Sequence, residues 1–91
     1  MAKSFIIIDV DEDQKEILKD VIRKHPDVSA VYTVVDDAEE ERISYDIIVK
    51  VEADSTRGLD DAESQIRTRK EVRSSLTLEV IEKQDKDGVE K

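Results

Sequence analysis

The sequence predicts an α+β domain made of a duplicated β-α-β unit, closed into one four-stranded antiparallel sheet with two helices on one face. Three observations predict it. Ile22-Arg23, Asp27-Val28, Tyr32 and Val34 recur at a fixed offset as Ile66-Arg67, Glu71-Val72, Leu76 and Leu78, each echo reading as a helix end turning into a strand. Upstream, the run Phe5 to Val10 is mirrored by Asp46 to Val51, so each half offers strand, helix and strand in the same order. The apolar residues also fall into periodic blocks, although 43% of the chain is charged and only 3% is aromatic. The resulting order is the ferredoxin-like βαββαβ arrangement, a scaffold that names no chemistry by itself.

The first strand is expected at about residues 4–10, with Phe5 and Ile7 on one face and Ile6, Ile8 and Val10 on the other. Both faces are apolar, so both need cover. Asp11 with Gln14 three residues later resembles a capping box, and Ile17, Leu18, Val21 and Ile22 follow as a helical stripe. Arg23, Lys24 and His25 place positive charge at the helix end, and Pro26 stops it. A second strand is expected over 28–35, followed by the acidic connection Asp36 to Arg42 and a third strand over 44–53 with Ile47, Val49 and Val51 as its aliphatic face. The second helix is weaker: it starts between Ser55 and Leu59, with Gly58 marking a delayed start, and carries only Leu59, Ala62 and Ile66 as a stripe. The fourth strand, 72–81, alternates Leu76, Leu78 and Val80 against Ser75, Thr77, Glu79 and Ile81.

The expected division is a domain over residues 1–83 and a flexible charged tail over 84–91. A chain of 91 residues without cysteine builds a thin core, unsupported by disulfides or a cysteine-held zinc. Self-association remains as the supplement. Two helices cover one face of a sheet, and the apolar residues on the other face, from parts of strands one to three, point to a dimeric α/β sandwich. The N-terminal apolar run is too short for a signal peptide or a membrane span, which points to the cytoplasm. A net charge of −9 with interleaved bases argues against direct nucleic-acid binding.

The segments Val28 to Val35, Tyr45 to Ala53 and Val72 to Val80, in this order and spacing, resemble the effector-binding (RAM) domain of the Lrp/AsnC transcription regulators. The strongest pieces are Pro26-Asp27-Val28, Tyr45-Asp46, and Val72 followed by Ser75 and Thr77. The likeness runs from Ser4 to about Lys83 and leaves no residues for a helix-turn-helix. It implies a stand-alone βαββαβ protomer, dimers and higher oligomers, an amino acid or related metabolite bound between subunits, and mixed assembly with DNA-binding Lrp/AsnC relatives. Two departures stand out. The family carries glycine where this chain has Ile43 and Glu71, which places side chains where a ligand approaches.

By the same resemblance, Ser44, Tyr45, Asp46, Ser75 and Thr77 are the candidate effector residues. Asp46 would accept a ligand ammonium and the hydroxyls would bind a carboxylate, although Asp46 also reads as a strand-end residue and Thr77 as an ordinary exposed strand former. His25, the only histidine, sits at a helix end that favours a cation; together with Asp27 it also suits copper or zinc. The chemistry of an enzyme has little support. Cysteine is absent, His25 has no nucleophile beside it in sequence, and there is no glycine-rich phosphate loop. The leading reading is a non-enzymatic effector-binding oligomer that needs no cofactor. A metal-binding oligomer and a purely structural oligomerisation module are the alternatives.

Overall fold

The computed structural model describes residues 2–34 and 46–81. Strand β1 (Ala2–Val10) leads through a 3-10 turn (Glu12–Gln14) into helix α1 (Lys15–Arg23) and strand β2 (Val28–Thr33). Strand β3 (Ile47–Ala53), helix α2 (Thr56–Arg67) and strand β4 (Val72–Val80) complete the second unit. The sheet order is β2-β3-β1-β4, with every neighbouring pair antiparallel. The ferredoxin-like βαββαβ fold is therefore present as the sequence predicts. None of the described helices is long and apolar enough to cross a membrane.

Alternation along the two central strands builds the core. Ser4, Ile6, Ile8 and Val10 of β1 and Ile47, Val49, Val51 and Ala53 of β3 are buried. Cross-strand pairing sets Ile6 beside Val49 and Ile8 beside Ile47, which makes a continuous aliphatic floor. Leu18 and Ile22 of α1 and Leu59, Ala62 and Ile66 of α2 close on it. The predicted α1 stripe is narrower than its four residues suggest: Ile17 is 53% exposed because the helix turns it off the sheet.

The helix starts also differ from expectation in part. Asp11 makes no side-chain cap, because its carboxylate accepts a charge-assisted hydrogen bond from Arg73 instead; only its carbonyl receives the Gln14 N–H, at 2.9 Å. Ser55 caps α2, its hydroxyl accepting from Gly58 N–H at 3.1 Å, so Gly58 lies inside the first turn and delays nothing. A Cβ at Gly58 would meet Ser55 Oγ at 3.4 Å and Ala53 Cβ at 3.5 Å, so the small residue suits this close helix-to-strand approach.

Strand β4 has an unexpected polarity. Its register sets Thr77 against Ile6 and Ser75 against Ile8, which turns the hydroxyls toward the helices. Leu76, Leu78 and Val80 consequently lie on the opposite face with Phe5 and Ile7, at 45%, 49% and 38% exposure. The open apolar face therefore spans β4 and β1, joined by Ile48 and by half-exposed Tyr32, and is not confined to the first three strands. The expected tail 84–91, the Asp36 to Arg42 connection and strand residues Val35, Ser44 and Tyr45 lie outside the described residues.

Because Ile8 is fully buried in the core between β3 and β4, Ile8→Ala is expected to cost about 2–5 kcal/mol. Urea unfolding followed by circular dichroism measures it. A loss below about 1 kcal/mol would contradict the core described.

Candidate functional site

The chemistry-bearing residues gather where β1 runs out. The β1–β4 register slips there, Asp9 pairing with Ser74 and Val10 with Val72, so that Arg73 is passed over. Its guanidinium reaches back to two acids: Nη1 donates to Asp11 Oδ1 at 2.6 Å, and Nη2 lies 3.4 Å from Asp9 Oδ2. Asp11, through its hydrogen bond, and then the charge of Asp9 hold Arg73 still more firmly protonated than usual. The Arg73 side chain is 57% exposed, so these pairs orient it more than they stabilise the fold.

Asp46 stands beside this network. Its backbone N–H donates to Ile8 O at 2.8 Å and its carbonyl accepts from Val34 N–H at 2.9 Å, which extends the ladder one residue ahead of β3. Its carboxylate accepts from Val10 N–H at 3.2 Å and lies 3.8 Å from Lys15 Nζ, which also pairs with Glu12 at 3.3 Å. Across the β4 entry, Glu71 accepts from Arg69 Nε at 3.1 Å. Its own backbone N–H and the Arg69 side chain hold the Glu71 carboxyl below its ordinary range.

Asp11, Gln14, Lys70, Glu71 and Arg73 line a cavity of about 300 Å³ at this end of the sheet. Two carboxylates, two cations and one amide thus converge on a space of small-molecule size. Such a lining answers both ends of a zwitterion: an ammonium toward Asp11 or Glu71, and a carboxylate toward Lys70 or Arg73.

The predicted site residues separate. Asp46 lies at the cavity end, where its charge acts on Arg73. Ser75 and Thr77 face the helices, the Thr77 hydroxyl is buried without a partner, and among the described residues no hydrogen bond joins either side chain to Asp46. Ser44 and Tyr45 lie outside the described residues. His25 and Asp27 belong to the α1–β2 corner, at the far end of β3, where Asp27 O accepts from Glu52 N–H at 2.8 Å. Both His25 ring nitrogens are engaged: Nδ1 accepts from Asp27 N–H at 3.1 Å, so Nε2 carries the proton donated to Gln65 Oε1 at 2.8 Å. A copper or zinc ion at His25 would have to displace one of these bonds.

The sequence reading missed Arg73, Lys70, Gln14 and the pocket role of Asp11. Lys70 and Arg73 bracket the β4 entry three residues apart, a basic pair that acquires meaning only when the register lays it beside Asp9 and Asp11.

Comparison with solved structures agrees with this architecture. FFRP-DM1 superposes with a TM-score of 0.74 at 27% identity, covering 89% of this chain and 100% of that one. AsnC of E. coli superposes with a TM-score of 0.72 at 21% identity, covering 90% of this chain and 52% of the regulator. The chain has the fold of the Lrp/AsnC RAM domain. The RAM fold also occurs in the siroheme decarboxylase NirDL, solved in complex with an iron-uroporphyrin III analogue, at 17% identity and a TM-score of 0.74 over 89% of this chain and 26% of the enzyme. No protein-family model and no curated protein matches the sequence.

Glu71 supplies a pH test of this site. Its folded pKa is lowered, so its contribution to stability is complete above the ordinary glutamate value of 4.5 and fades as pH falls through the lower folded value. Glu71→Gln should therefore be less stable than the parent at pH 7, with the gap closing from about pH 4.5 downward. Denaturant melts at pH 7 and at a series of values below 4.5 read this; a gap that persists unchanged in acid would contradict the assignment.

Proposed function

We propose that this chain is an effector-binding oligomer of the Lrp/AsnC type, taking an amino acid or a related zwitterionic metabolite at the cavity around Arg73. The observation that carries this reading is the cavity itself, where Asp11 and Glu71 stand against Lys70 and Arg73 at the end of the sheet that also holds Asp46. Arg73 binds the ligand carboxylate, since its planar fork is already held in place by Asp9 and Asp11. Asp11, Asp46 and Glu71 offer acceptors for the ammonium. The reading is non-enzymatic: among the described residues no hydroxyl nucleophile hydrogen-bonds His25, whose ring nitrogens bond Gln65 and Asp27.

The protein acts as a homodimer or larger assembly through the open sheet face, where Leu76 and Leu78 stand nearly half exposed beside Phe5 and Ile7. Transcription is affected through co-assembly with DNA-binding relatives, because a chain of net charge −9 repels phosphate backbones. A purely structural oligomerisation module is the second reading. Glu71 favours it, since its side chain occupies the lining where the family this chain resembles has glycine.

Titration calorimetry with the standard amino acids is expected to find at least one ligand. Arg73→Ala should weaken it about 10–100-fold, the worth of a charge-assisted hydrogen bond. If the parent binds none while remaining oligomeric, the structural module is the correct account.

Sedimentation velocity at micromolar concentration should show at least a dimer. Leu78→Lys, which places a charge on the open face, should shift it to monomer with little loss of helical signal. A folded parent monomer at all concentrations would refute the assembly.

A further inference from the structure

A second site lies toward the other end of the β1–β4 ladder, between α2 and β4, and does not depend on the effector reading. Asp60 and Glu63 are three residues apart on α2, which puts them on one helical face. The register of β4 turns Glu79 toward the same helix, opposite Ser4 of β1. Carboxylate oxygens of Asp60, Glu63 and Glu79 all lie within 4.8 Å of one another. Among the described residues, no lysine or arginine forms an ion pair with any of the three.

The side chains around this trio are orphaned in a way that exposed acids are not. Glu63 is only 4% exposed and its Oε2 has no hydrogen-bond partner. Ser4, the cross-strand neighbour of Glu79, is fully buried and its Oγ is likewise unpartnered. Thr77, two residues before Glu79 on the same face, adds a third orphaned oxygen. Burying three such atoms together is costly unless something with positive charge and room for oxygen ligands joins them.

We propose that Asp60, Glu63 and Glu79 bind a divalent cation of the calcium class. The donor set is all oxygen, which suits a hard cation and does not suit copper or zinc held by nitrogen or sulfur. Calcium takes about six to eight oxygens in flexible geometry, whereas magnesium keeps several of its waters and binds through one or two carboxylates, so three converging protein carboxylates suit calcium better. Oxygens that lie within 4.8 Å of one another can all reach one such ion. The Ser4 hydroxyl completes the shell directly or through a bound water. The ion ties α2 to the edge strand β4, two elements otherwise joined by few polar bonds.

Thermal melts of the full chain in CaCl2, in MgCl2 and in NaCl at equal ionic strength test this, with calorimetry for stoichiometry. Millimolar CaCl2 is expected to raise the midpoint by about 5 °C or more, MgCl2 by clearly less, with one ion per chain. Glu63→Gln keeps the shape and should abolish the calcium shift; exposed Asp60→Asn, which cannot disturb the core, should weaken calcium binding at least tenfold. Circular dichroism verifies that both variants are folded. No calcium shift in the parent, or a shift that survives both substitutions, overturns the proposal.

Discussion

Strand β1 is hydrogen-bonded along both edges and apolar on both faces, and the rest of the molecule is arranged around satisfying it. Its two edges are taken by β3 and β4, which forces each β-α-β unit to be split by a strand from the other. One face is filled by Leu18, Ile22, Leu59 and Ile66 of the helices. The other is covered by neither helix, because both crossovers of this topology lie on one side. Phe5 and Ile7 therefore lie outside the helix-covered core, and the polarity of β4 follows: its leucines extend their patch and its hydroxyls go under the helix.

What could be read from the sequence was what is local or repeated. Period-two alternation separated the two faces of β1 and marked the aliphatic face of β3 that is buried, and the basic run before Pro26 marked the end of α1, which closes at Arg23, two residues short of His25. The 44-residue echo, visible by eye as Ile22-Arg23 and Ile66-Arg67, located both helix ends. The side of β4 that faces the helices was not legible, since an alternating strand is equally regular either way up. Only its pairing with Ile6 and Ile8 decides it. For the same reason the direction of Ser75 and Thr77, which the family resemblance grouped with Asp46, follows only from that pairing.

The cavity was hidden by distance along the chain. Asp11 and Arg73 are 62 positions apart, and the slip in the β1–β4 register that unites them leaves no mark in composition. Asp11 looked like a helix cap because an acid before a helical stripe usually is one; here a guanidinium takes its carboxylate, where both partners of the bond carry charge. Asp46 was legible through resemblance alone, whereas its role as acceptor for Val10 N–H belongs to the fold. Local rules thus described the scaffold, and long-range pairing determined which charged residues meet.

The position of β4 at the margin of the sheet has a bearing on how the protein behaves in bulk. Its outer row of amide and carbonyl groups has no neighbouring strand among the described residues, and beside it lies a face of leucines. Such an edge is a template for adding further strands, the geometry from which fibrils grow. Mutual repulsion between copies, each carrying a net charge of −9, opposes that growth. Acid or concentrated salt removes the repulsion and leaves the edge intact, so the conditions that neutralise this protein are those that favour open-ended stacking.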